Sequence, residues 1–221
     1  MVDGRRHYGQ FCGLAAAMDV VGERWTLLIV RELLLGPARF NEIQESLPGI
    51  APTLLSDRLR NLERLGVLAR EPVPGDARGK LYRLTERGAE LRAPLLQLSR
   101  WGLAYLTEQD AVEGVASSSW AFLAAQAMIY GRPVPQVSET YEFRVGDSRF
   151  HIRVLDGAAE ALTGEAEDPA VVVTTDARTF VRIGAELLAP FEAVVTGKVT
   201  IEGDPDAVLR SIELMGLSTG R

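Results

Sequence analysis

Apolar residues recur along the first half of the chain at helical spacing. Leu14, Met18 and Val21 form one stripe, Gly22 interrupts it, and Trp25, Leu28, Ile29 and Leu33 form a second. Gly36-Pro37 stops that helix. Phe40, Ile43 and Leu47 share one face of a further short helix, and Leu47-Pro48-Gly49 predicts a turn after it. In the helix beyond the turn, Leu55, Leu59 and Leu62 make the inward stripe, which sends Thr53, Ser56, Asp57, Arg60 and Arg64 largely to the opposite side. Two short helices across a tight turn predict a helix-turn-helix. Val67–Arg70 and Lys80–Leu84 then read as strands around a turn-rich loop, Pro72–Gly79, giving a hairpin wing. Beyond the wing, Thr85 can cap a helix carrying Leu91, Leu95, Leu98 and Tyr105 at roughly heptad spacing, a stripe that wants a partner. Pro94 inside this pattern means that the helix is kinked there or begins anew near it, and a kink is the expectation.

The periodicity changes in the second half. Glu108–Ser117 is acidic and turn-rich and reads as a linker, followed by an amphipathic helix over Ser118–Tyr130. Tyr141, Phe143 and Val145 then alternate with polar residues. After the Gly146-Asp147 turn, Phe150, Ile152 and Val154 alternate with Arg149, His151 and Arg153, which predicts an antiparallel hairpin with one apolar face. Strands at Ala170–Thr174 and Gly197–Gly203 bracket a helix capped by Asp176, with Phe180, Ile183 and Leu187 on one face. A last helix starts at Asp204-Pro205 and presents Leu209, Ile212 and Met215. The expected class is α+β, with an N-terminal winged helix-turn-helix domain (1–107), a linker (108–117), and a C-terminal antiparallel sheet covered by helices (118–221).

Charge separates the halves further. The net charge of −6 argues against a polyanionic partner only until it is divided: residues 1–110 hold 15 Lys/Arg and 14 Asp/Glu, residues 111–221 hold 9 and 16. Residues 51–92 carry nine basic side chains against six acidic ones, so a basic surface for nucleic acid belongs to the first half. Neither a signal-peptide pattern nor a long apolar run is present, which predicts a cytoplasmic protein without a membrane partner. One cysteine, Cys12, and two histidines make a cysteine zinc site or other metal centre a poor expectation. No phosphate-binding glycine loop, nucleophile elbow or HExxH is found, so neither an enzyme nor a cofactor is expected. His151 falls on the polar face of its strand, as a solvated histidine would.

Several residue groups together resemble the HxlR-type winged-helix regulators over roughly Phe11–Leu106. They are Cys12, Gly22-Glu23-Arg24-Trp25, Gly36 with Arg39-Phe40, Leu47-Pro48-Gly49-Ile50, Leu55 through Glu63, Gly66-Val67-Leu68, Tyr82-Arg83-Leu84-Thr85 with Gly88, and Trp101. The resemblance implies a homodimer that places two recognition helices in major grooves of double-stranded DNA, with two wings on flanking DNA, at a roughly palindromic operator. Thr53, Ser56 and Arg60 would face base edges, while Arg39, Arg58, Arg78 and Lys80 would contact phosphates. The same arginines could instead form helix ion pairs with Asp57 or Glu63. Some relatives sense oxidants through the N-terminal cysteine, which makes Cys12, near Arg5, Arg6 and His7, a candidate redox sensor. A small, partly buried apolar residue is the plainer reading of it.

Over Ala170–Met215 the chain resembles sterol-carrier-protein-like (SCP2-like) domains. Asp176-Ala177-Arg178-Thr179-Phe180 follows a strand, and Gly197 through Asp204 comes in the expected order. That resemblance implies an apolar cavity between sheet and helices for an acyl or isoprenoid ligand, with Trp120, Met128, Phe143, Phe150, Phe180, Leu187, Phe191 and Met215 as candidate liners. The expected function is a DNA-binding regulator, a repressor, modulated by an apolar small molecule. A lipid or isoprenoid carrier, and a purely structural C-terminal domain, stay open as alternatives.

Overall fold

The computed structural model describes residues 7–73 and 75–217, without the side chains of residues 76–78. The chain forms two compact units, residues 1–95 and 96–221.

In the first unit, α1 (Gly13–Val21) and α2 (Thr26–Leu35) precede a two-residue strand, β1 (Ala38–Arg39), and then α3 (Phe40–Ser46) and α4 (Pro52–Arg64). The predicted second stripe is corrected at its start. Trp25 lies outside α2, at its N-cap, with φ of 79°. The stripe then runs through Thr26, Ile29, Val30, Leu33 and Leu34, leaving Leu28 exposed. Leu14 is exposed as well, since α1 buries Ala15 and Val21. Pro52 starts α4, where its missing N–H would have no acceptor in any case.

The wing is longer than its loop residues suggest. β2 (Leu68–Val73) and β3 (Asp76–Leu84) pair antiparallel from Leu68↔Leu84 to Val73↔Asp76, with an irregularity at Pro72/Val73. The ladder absorbs most of the residues read as loop. β1 pairs with β3 on its other side, opposing Arg39 to Leu81. After the wing, Thr85 caps α5 (Glu86–Ala89) by accepting from the Gly88 amide at 3.1 Å. Gly88 sits so close to the Val67 carbonyl that a Cβ there would lie 2.0 Å from its oxygen, so only glycine fits.

The predicted kink at Pro94 is a break instead. α5 ends, and α6 (Arg92–Leu103) begins anew, with Pro94 in its first turn. Deeper inside a helix proline would both remove a hydrogen bond and clash with the preceding turn; in the first turn it does neither. The division between the two units falls within α6.

The second unit begins with the rest of α6 and then α7 (Glu108–Glu113), a helix within the stretch expected to be a turn-rich linker. Its signal is a capping box: Thr107 accepts from the Asp110 amide, and Asp110 accepts from the Thr107 amide at 2.9 Å. α8 (Ser118–Ile129) leads into β4 (Glu139–Val145), β5 (Ser148–Leu155), β6 (Ala158–Thr163) and β7 (Val171–Thr175). Then come α9 (Ala177–Gly184), α10 (Pro190–Val195), β8 (Val199–Gly203) and α11 (Pro205–Met215).

The strands order as β6-β5-β4-β7-β8. The sheet is therefore mixed rather than antiparallel throughout, because β4 and β7 pair parallel, with Tyr141 opposite Val171. Alternation along β4 and β5 cannot reveal this, since it reports the face a residue takes and not the direction of its neighbour. β6 carries three alanines in six residues, a weak strand signal that pairing with β5 overrides.

Phe143 and Phe150 stack at 5.3 Å between ring centres, with Phe180 edge-on to both at 6.1 Å, and this cluster fills the apolar side of the sheet. α11 buries Ala207, Ser211, Leu214 and Met215, and Leu209 is exposed, contrary to the predicted stripe.

Candidate functional site

α4 supplies the most outward-directed chemistry of the first unit. Leu55, Leu59 and Leu62 are at most 1% exposed, so the helix is held by one face. On the other, Thr53 and Arg60 are exposed and Ser56 is half-buried. Arg60 leans along its own helix, 3.3 Å from Asp57 and 3.4 Å from the Ser56 hydroxyl, contacts that leave 72% of its side chain exposed. Such an exposed pair holds the side chain weakly.

Arg58 is placed differently. It pairs with Glu23 and donates to the Arg24 carbonyl, and only 21% of its side chain is exposed. It ties α4 to the turn between α1 and α2. The cause is tertiary: Glu23 lies far away in sequence.

Arg39 and Lys80 are both exposed, on neighbouring strands: Arg39 on β1 opposes Leu81 of β3, the residue after Lys80. Arg39 also starts α3, where its amide donates to Glu42 at 2.6 Å. Two further wing cations form ion pairs: Arg83 with Glu71 at 2.5 Å and Arg70 with Glu63 at 3.5 Å. The Arg78 side chain lies outside the described residues, as do Arg5 and Arg6.

Cys12 is exposed and occupies the N-cap of α1. The Ala15 amide, and after it the Leu14 amide, favour the thiolate and hold the thiol below its ordinary range. It is not the partly buried residue of the plainer reading.

In the second unit the eight candidate liners separate. Met128, Phe143, Phe180 and Met215 surround an apolar cavity of about 60 Å³, closed further by Val173 and Ile201. Phe150 is wholly buried and stacks on Phe143. Phe191 is 73% exposed, because α10 buries only Ala193. Trp120 and Leu187 line a different cleft, of about 320 Å³, between α9 and the Leu106–Ala116 segment.

Two guanidinium groups missed by hydrophobic patterning border that cleft. Arg178 and Arg182 stand four residues apart on α9 and hence on one side of it. Arg178 donates to the Gly114 carbonyl at 2.9 Å, and Arg182 pairs with Glu108 at 2.7 Å. Among the described residues, the buried Arg182 Nε–H has no acceptor. Their spacing was the available signal; the cleft beside them was not visible in the sequence.

On the polar side of the sheet, Glu142 is 1% exposed and accepts from Arg144 at 2.6 Å and from the Ala166 amide at 2.8 Å. His151 hydrogen-bonds the Gly164 carbonyl at 3.0 Å. Both residues are engaged in holding strands and turns. Among the described residues no helix is long and apolar enough to cross a membrane.

Comparison with known proteins follows the same division. Residues 20–110 match the HxlR-like helix-turn-helix family, and residues 125–216 match the SCP-2 sterol transfer family. The HTH-type transcriptional regulator MT3179 of Mycobacterium tuberculosis is 47% identical over 94 residues, 42% of this chain and 59% of that protein. Two Bacillus subtilis proteins named HTH-type transcriptional regulators are covered more fully. YvaP is 38% identical over 41% of this chain and 83% of its own length. YodB is 33% identical over 45% of this chain and 88% of its own length.

Proposed function

Because the chain belongs to the HxlR-like helix-turn-helix family, we propose that it is a non-enzymatic repressor that binds a roughly palindromic operator in double-stranded DNA as a homodimer, in the cytoplasm. The observation that carries this reading is the polarity of α4. Its leucines are buried to 1% or less, while Thr53 and Arg60 stand outward on the opposite face. Inserted in a major groove, Arg60 would donate to guanine and the hydroxyls of Thr53 and Ser56 would add less selective contacts. Arg39 on β1 and Lys80 on β3 would hold flanking phosphates, and Arg78 would act further out on the hairpin.

Exposed apolar side chains favour self-association. In the first unit these include Leu14 and Leu28, on α6 Leu98 and Trp101, and just after it Tyr105. A second copy that covers them removes apolar surface from water and sets the spacing of two α4 helices.

The SCP-2 match and the apolar cavity support an effector role for an apolar small molecule. The cavity of about 60 Å³ lies well below the roughly 300–1,000 Å³ of ligand sites, so binding requires the helices around it to move outward. A ligand that binds better to the opened form shifts the protein toward that form and, through it, changes operator affinity.

Anisotropy titration of labelled DNA from the protein's own upstream region, at two salt concentrations, tests the reading. A steep fall of affinity with salt is expected, and Lys80→Ala should reduce the logarithmic salt slope by about one. Binding that is absent at low salt, or indifferent to salt, overturns the DNA-binding reading and leaves a carrier. Equal DNA affinity of the apo and ligand-saturated protein overturns the effector role alone.

A further inference from the structure

We propose that the cleft between α9 and Leu106–Ala116 is a second small-molecule site, selective for carboxylates that carry an aromatic or compact apolar body. The proposal stands independently of DNA binding. With about 320 Å³ the cleft reaches the lower end of small-molecule sites, roughly 300–1,000 Å³, which suits a one- or two-ring molecule. Its wall is largely apolar, with Leu106, Val115, Val181 and Leu187, and the Trp120 indole adds a flat surface for stacking.

The polar groups specify the ligand's other end. A buried N–H without an acceptor is a costly arrangement, and the Arg182 Nε is such a donor. Arg178 contributes a second guanidinium, whose hydrogen bond goes to a neutral carbonyl, Gly114. Two carboxylates are near, but both are committed. Glu108 is held by the Arg182 Nη2, and Asp110 is held by the Thr107 amide and hydroxyl. Among the described residues Arg182 Nε has no acceptor and Arg178 donates to an uncharged carbonyl. A ligand carboxylate pairs with the exposed Arg178 guanidinium and, once the groups that cover it shift, gives Arg182 Nε its acceptor; hydrogen bonds of carboxylate to guanidinium are of the stronger, charge-assisted kind.

Isothermal titration of the full chain with naphthalene-1-acetate and with its neutral amide, naphthalene-1-acetamide, provides the test. The acid should bind at least about tenfold more tightly than the amide, the difference between a charge-assisted and a neutral hydrogen bond. Arg182→Gln should abolish that preference. Arg182→Lys, which keeps a cation for Glu108 but lacks the Nε–H, should also weaken acid binding and serves as the test if the Gln variant does not fold. Glu108→Gln should preserve or tighten acid binding, because it frees the guanidinium without changing the cleft wall. Bound acid should slow hydrogen exchange of the amides of residues 106–116. The proposal is overturned by absence of binding at millimolar acid, by equal affinity for acid and amide, or by equal losses in Arg182→Gln and Glu108→Gln, since the last outcome makes the arginine a strut for α7 and nothing more.

Discussion

In the first unit the candidate recognition residues stand on the outer face of α4, opposite leucines almost inaccessible to water. In the second, the distinctive side chains surround empty space: four of the predicted liners at one cavity, two more at a separate cleft. The difference is one of geometry. A helix held by a single stripe advertises its free face through periodicity alone. A cavity depends on how several elements fail to fill the space between them, and residues far apart in sequence decide that.

The largest effects should come from the cores, where the two units behave alike. Leu59→Ala, at 1% exposure, should lower stability by about 2–5 kcal/mol, and Phe150→Ala, wholly buried in the aromatic cluster, by about 3–5 kcal/mol, both measured by urea denaturation. Native-like stability of Leu59→Ala would break the claim that α4 is held by one face.

Outside the cores the units should part. Arg60→Ala should weaken operator binding by about 1–3 kcal/mol while changing stability by no more than about 0.5 kcal/mol. Anisotropy and thermal unfolding of the same variant separate the two quantities. Unchanged DNA affinity would remove α4's outer face from recognition.

A smaller effect should come from Asp176, the N-cap of α9. Burial pushes its carboxyl up, but the Thr179 hydroxyl and amide, with the Arg178 amide, outweigh this and leave it below its ordinary value. A lowered folded-state pKa means stabilisation that is fully present above the unfolded value, about 3.9, and lost as pH falls through the folded one. Asp176→Ala should therefore cost about 1 kcal/mol at neutral pH. Unfolding curves for the two proteins should converge in acid, and a gap that persists there would contradict the capping role.

Smallest in energy is Cys12. Its alkylation by iodoacetamide should show a midpoint below the roughly 8.5 of a free thiol, since the helix amides favour the thiolate. An ordinary midpoint would leave Cys12 no better suited to oxidant sensing than any exposed thiol.

Sequence legibility followed the range of the interactions involved. The Leu55-Leu59-Leu62 stripe, the Thr85 cap and the Asp176 cap rest on neighbours three or four residues away, so spacing is enough to read them. The break before α6 was harder. Pro94 marked a disturbance, and a proline is tolerated in the first turn of a new helix, so its position alone does not tell a bend from a restart.

The sequence by itself determined the order of most elements, the polar face of α4 and the family, because local propensity and periodicity act through adjacent residues. Tertiary structure alone decided that Arg58 serves Glu23, that β4 and β7 run parallel, and that Trp120 and Leu187 border one void while Met128 and Met215 border another. Each of those outcomes turns on a partner dozens of residues away, and no local pattern encodes which distant side chain a packed chain will bring into reach.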